Sequence, residues 1–187
     1  MSALIIALIV LGVIAVAFMW AIGGYNLFIR TKAMVKEAWS GVDVQLKRRY
    51  DLIPNLVETV KGYSVHEKDL FQNIAKYRSV AAGTQNVEER AQAESGLTQS
   101  LKTLFAVVES YPELKANENF LALQKDLAAI EQDINLARRY YNGTVRNYNI
   151  AVKTFPRSII AGMFGFAEEP FFEITAEAER NAPRVQF

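Results

Sequence analysis

The chain contains no cysteine and only one histidine, His66. The first absence removes disulfide staples, thiolate nucleophiles and sulfur metal ligands, and leaves the redox compartment unreadable from thiols. The second removes most metal chemistry. A di-iron centre in a helical bundle needs two inward Glu-x-x-His pairs, and the residue three before His66 is Tyr63. No G-x-S-x-G or S-x-x-K pattern occurs, and no histidine stands ready to activate a serine. Gly162-Met163-Phe164-Gly165 lacks the basic residues and preceding strand of a phosphate loop. Twenty-one Lys and Arg against 20 Asp and Glu leave a net charge of +1, so no overall field recruits nucleic acid or an acidic substrate. The expectation is a non-enzymatic protein with no catalytic residue, cofactor, metal site or nucleic-acid partner.

What the chain does have is a long apolar run. From Ala3 to Gly24 no residue is charged, and as a helix that run would rise about 33 Å, enough to span a bilayer. Ala15 and Ala17 form an A-x-A arrangement, but no basic segment precedes it and the apolar run continues past it. A retained membrane helix is therefore expected in place of a cleaved signal. Trp20 and Tyr25 sit where an interfacial aromatic belt would, followed by Arg30, Lys32 and Lys36. That charge bias places the larger domain of a single-pass membrane protein in the cytoplasm, with a periplasmic placement left open. The 187 residues then divide into an anchor at 1–24, a helical bundle at 25–155 and a membrane-proximal segment with tail at 156–187.

Within the bundle, apolar residues recur at Val35, Trp39, Val42, Leu46, Ile53, Leu56, Val60 and Tyr63, in the steps of four and three of a packed helix seam. Pro54 lies inside that seam without disturbing its phase, which predicts one kinked helix continuous with the anchor and running to Lys61. Gly62 and Ser64-Val65-His66-Glu67 read as a stop and a capping box, with His66 a surface histidine. Helix two carries Leu70, Phe71, Ile74 and Tyr77 and ends near Gly83. Helix three, capped by Asn86, carries Leu97, Leu101, Leu104 and Val108 and closes at Tyr111-Pro112. Helix four, from Asn117, carries Phe120, Leu123, Leu127, Ile130, Ile134, Ala137 and Tyr141, then shifts by one through Val145, Tyr148, Val152 and Phe155, like a coiled-coil stutter. The fold class is all-α: a membrane helix continuing into an up-and-down four-helix bundle with long helices.

Three groups of residues merit functional weight. Arg49 occupies a seam position and, with helix four antiparallel, lies opposite Glu131 and Asp133; it is expected to pair with one of them and hold register. Glu88, Glu89, Glu94 and Glu131 otherwise read as solvated helix faces. Tyr25 and Asn26 face Tyr140, Tyr141, Asn142, Asn147, Tyr148 and Asn149 near the membrane, where buried amides and phenols are expected to bond across the helices. Finally, Ile159, Ile160, Met163, Phe164 and Phe166, flanked by Lys153 and Arg157, either lie in the bilayer interface or cap the bundle core. The tail, with Phe171 and Phe172, is expected to dock on the bundle or on a neighbouring copy.

Tyr25-Asn26, KRRYDLIPNLVETVKGY at 47–63 with His66-Glu67, ARRYYNGTVRNYN at 137–149, Phe155-Pro156 and the final Val185-Gln186-Phe187 together resemble the LemA family of bacterial membrane proteins. The resemblance implies an N-terminal helix in the bacterial inner membrane, an up-and-down bundle, and no established activity or cofactor. Some relatives are linked to magnetosome membranes, which implies by analogy a membrane-organising role. The leading expectation is a scaffold that contacts the bilayer and self-associates into a homo-oligomer. The alternative is an adaptor binding a membrane-protein partner such as a protease or transporter.

Overall fold

The computed structural model describes residues 2–64 and 67–173. His66, with the Val65 position of the expected capping box, and the tail beyond Glu173 lie outside the described residues. The chain forms α1 (Ser2–Lys61), α2 (Lys68–Gly83), α3 (Val87–Val108), α4 (Pro112–Lys115), α5 (Glu118–Lys153) and α6 (Arg157–Phe164). Among the described residues there are thus six helices, not the four expected. Both additions follow from proline. Pro112 opens the single turn α4 as its first residue, the position where a missing N–H costs nothing. Pro156 ends the α5 pattern and serves as N-cap of α6.

α1 is a single helix of 60 residues, rising about 90 Å. Its first 20 or so described positions are exposed, and from Phe28 onward one face is buried. This helix is long and apolar enough to cross a membrane. Above the apolar run, α5 lies antiparallel to α1: Phe28 meets Tyr148, Trp39 meets Tyr141 and Arg48 meets Asp133. α2 also runs against α1, with Lys61 over the Phe71 ring and Arg78 at Tyr50. α3 returns alongside α1, since Asp43 meets Arg90 and Tyr50 meets Glu94. The core these four helices enclose includes Val42, Leu46, Ile53, Leu56, Ile74, Leu97, Leu104, Phe120 and Ile134, all 2 % exposed or less. Asn86 accepts from the Glu88 and Glu89 amides at 2.9 and 3.0 Å, and Asn117 from the Phe120 amide at 3.1 Å, so both caps act at the N-termini assigned to them. The N-cap of α2 is Glu67 and makes no side-chain capping bond, which corrects the capping-box reading. α5 stops at Lys153, and Phe155, expected on its inner face, is 77 % exposed.

Pro54 lies within α1 and has no N–H to give the carbonyl of Tyr50, four residues earlier. Arg78 of α2 takes that role: its Nε donates to the Tyr50 carbonyl oxygen at 2.7 Å. The proline therefore frees a backbone acceptor that docks a neighbouring helix. Arg78→Ala is expected to destabilise the protein by about 1–3 kcal/mol by leaving the carbonyl unpaired. In a Pro54→Ala background, where an amide again reaches Tyr50, the same change should cost markedly less. A double-mutant cycle by chemical denaturation measures that coupling; equal costs in both backgrounds would refute it.

Candidate functional site

Arg49 on α1 is a charge held fully inaccessible inside the bundle. Its Nη2 donates to Glu94 Oε2 on α3, and its Nη1 donates to Glu131 Oε1 on α5 at 2.6 Å and to Thr98 Oγ1 at 3.5 Å. Tyr50, the next residue, donates its hydroxyl to the other oxygen of Glu94. One guanidinium thus joins three helices. Asp133 instead receives Arg48 at 3.3 Å. The reading of Glu94 as a solvated carboxylate is corrected: its side chain is 0 % exposed. Glu94 falls on the same seam as Leu97, Leu101 and Leu104, so burial follows from phase, and the basic partner on α1 makes a carboxylate tolerable there. One turn earlier Arg90 repeats the arrangement. It is buried, donates to Asp43 and to the Thr84 carbonyl at 2.7 Å, and stacks its guanidinium 5.4 Å from the Trp39 ring centroid.

Burial raises the Glu94 carboxyl above its ordinary value near 4.5, outweighing the lowering by Arg49 and by the Tyr50 hydrogen bond. Burial also raises the Tyr50 hydroxyl, as does the Glu94 charge beside it. Because the folded state holds the Glu94 proton to higher pH than the unfolded chain does, its stabilising contribution is complete below pH 4.5 and is lost as pH rises through the folded value. The stability of the native protein relative to Glu94→Gln should accordingly fall between acid and neutral pH, with a slope of at most about 1.4 kcal/mol per pH unit. Paired unfolding curves across that range measure it, and a difference that grew with pH would contradict the assignment.

The membrane-proximal amides do something other than bridge α1 and α5. Asn149 donates to the Glu169 carbonyl and accepts from the Glu169 amide, both at 2.9 Å. Asn142 does the same with Phe172, at 3.1 and 2.9 Å. Between them the Tyr141 hydroxyl donates to the Pro170 carbonyl at 2.9 Å. The fit is metric: seven residues of helix rise about 10.5 Å, and three residues of extended chain cover about 10 Å. The two side-chain amides therefore read the backbone of residues 169–172 as a strand partner would. Phe172 is fully buried, edge-on to Trp39 at 5.3 Å, and Lys32 pairs with Glu169 at 3.3 Å. Burial, and after it the Glu169 charge, push the Tyr141 hydroxyl up to about 12. Tyr148 is buried against Phe28, its hydroxyl without a partner among the described residues. Asn26 and Tyr140 are exposed, and Tyr25 packs on Phe164 and Phe166, at 4.9 and 5.7 Å between ring centroids.

The apolar segment divides between a buried and an exposed side. Ile160 is 1 % exposed and lies against Gly24, where an added Cβ would overlap its Cδ1. Phe166 is half-buried and stacks on Phe28 at 4.9 Å. These two belong to the bundle core and are withdrawn from the outward-facing set. Ile159, Met163 and Phe164 point outward, at 50, 74 and 53 % exposure. Gly165 closes α6 in the left-handed conformation, φ 69°, which turns the chain back toward α5.

Two further surfaces are apolar. A groove of about 340 Å³ between α3 and α5 is walled by Leu101, Phe105, Leu127 and Ala128, with Thr98 and Glu131 of the charge cluster at one end. On the outer side of α5, Leu136, Tyr140 and Ile150 are 59, 59 and 55 % exposed, and they share a face with Gly143, above which space is open. Among the described residues no group of three or more His, Cys, Asp or Glu side chains gathers as a metal cage.

A family model described as the LemA family matches residues 38–187. The chain is 25% identical over 175 residues to magnetosome protein MamQ 2 of Paramagnetospirillum magneticum, covering 80% of this chain and 64% of that protein. It is 26% identical over 164 residues to protein LemA of Metamycoplasma hominis, covering 85% and 73% respectively. The chain thus spans a little under two thirds of the length of the magnetosome protein it matches.

Proposed function

The chain belongs to the LemA family, and we propose that it is a non-enzymatic, membrane-anchored helical scaffold that self-associates. The observation that carries this reading is the outer face of α5, where Leu136, Tyr140, Gly143 and Ile150 share an uncovered face, apolar but for the exposed Asn147 between Gly143 and Ile150, about 21 Å long. Copies anchored in one bilayer share an orientation and a height, which raises their effective concentration for one another. A stripe with a glycine in its middle lets a second helix approach closely. The magnetosome name of one relative favours a role in organising membrane. The cations Arg30, Lys32 and Lys36 beyond the apolar run favour a cytoplasmic bundle.

The absence of cysteine makes the test direct. Tyr140→Cys in native membranes should give a crosslinked homodimer under mild oxidation, whereas Gln72→Cys, on the exposed side of α2, should not. The second reading, an adaptor for another membrane protein, is favoured by the open groove between α3 and α5. It expects a dominant heterologous product from a crosslinker at Lys102 and no homodimer through Tyr140.

A further inference from the structure

We propose that α6 is a second membrane contact, a short helix lying in the plane of the bilayer with its outer face in the lipid interface. The inference rests on the membrane-spanning reading of α1 and adds a separate site to it. Ile160 meets α1 at Gly24, Phe164 meets it at Tyr25 and Phe166 at Phe28. Four residues of α6, about 6 Å along its axis, thus correspond to one step of about 1.5 Å along α1. α6 therefore lies across α1, parallel to the surface of any bilayer that α1 crosses upright.

Its height is set by the same contacts. Gly24 closes the apolar stretch, Tyr25 and Asn26 are the first polar residues beyond it, and the first charge follows at Arg30, so α6 sits where hydrocarbon gives way to headgroups. The inner side, Ile160 and Ala161, is 1 and 2 % exposed. On the outer side Ile159 and Met163, one turn apart, are 50 and 74 % exposed, with Phe155 at 77 %, and Phe164, one turn on from Ile160 and against Tyr25, still leaves 53 % of its surface uncovered. Four large apolar groups around one eight-residue helix are a costly surface in water. They become favourable at a bilayer already reached by the adjoining segment. Arg157, exposed at the N-terminal end of α6, suits the phosphates of anionic lipid, while Lys153 beside it is paired with Glu168 at 2.8 Å. Lipid is chosen over a second copy because the face is continuous with the spanning part of α1.

The experiment uses the full chain in nanodiscs of mixed phosphatidylcholine and phosphatidylglycerol, with single spin labels at Met163→Cys, Val16→Cys and Gln72→Cys, the last on the exposed side of α2. The ratio of oxygen to nickel-chelate accessibility should be several-fold higher at position 163 than at 72, and highest at 16. A nickel accessibility at 163 equal to that at 72, with 16 deep, would overturn the α6 contact alone. A shallow position 16 would overturn the spanning reading and this one with it. Shielding of 163 from both reagents, with dipolar broadening between labels, would assign the face to a second copy and also overturn the proposal.

Discussion

Replacing Arg49 with methionine is expected to destabilise the folded bundle by about 3–5 kcal/mol, the range for removing one partner of a buried ion pair. The cost arises from what is left behind. Glu94 is fully buried and takes one bond from Arg49 and one from Tyr50; without the guanidinium its carboxyl must take up a proton or draw in water. Glu131, a third exposed, can turn outward and loses little. For a chain of this size the change should lower the unfolding midpoint by about 6–20 °C, read by circular dichroism in detergent. Arg49→Met combined with Glu94→Leu should recover much of the loss, because two apolar side chains of similar volume replace a pair whose desolvation was expensive. If Arg49→Met alone shifted stability by less than about 1 kcal/mol, the joining of three helices through this residue would be refuted.

The second large effect lies at the amide clamp. Asn149→Leu and Asn142→Leu each delete a donor and an acceptor that serve the backbone of Glu169 and Phe172. With backbone groups left unpaired, each substitution should weaken the strap by about 1–3 kcal/mol, and together they should release it. The amides of Glu169 and Phe172 report this directly. Their hydrogen exchange should accelerate about 10- to 100-fold in the matching variant, tenfold per 1.4 kcal/mol, while core amides of α1 keep their protection. Asn149→Asp is the discriminating control, since a carboxylate keeps the bond from the Glu169 amide and repels its carbonyl. An intermediate acceleration is expected there. Unchanged exchange in Asn149→Leu would show that Phe172 burial alone holds the segment.

Much of this architecture was legible because hydrophobic phase and capping residues act locally. The seam from Val35 to Val60, the Asn86 and Asn117 caps and the passage of α1 through Pro54 follow from spacing and side-chain chemistry. The misread residues were those whose partners lie far away in sequence. Glu94 continues the phase of Leu97, Leu101 and Leu104 backwards by a step of three, and that phase was a signal for burial that its charge masked. Asn142 and Asn149, seven apart, carry the spacing of an extended partner, but nothing local shows that the partner is residues 169–172 and not α1. Ile160 and Phe166 could not be told from Ile159 and Met163 by composition; the close approach allowed by Gly24 decides which turn inward.

The mass of the full chain in lipid nanodiscs tests self-association most directly. Wild-type protein at membrane-like density should carry a multiple of 21.0 kDa per particle, and Leu136→Glu with Ile150→Glu should reduce it to a single copy while the helical spectrum is unchanged. A wild-type chain found uniformly as one 21.0 kDa copy would contradict the scaffold.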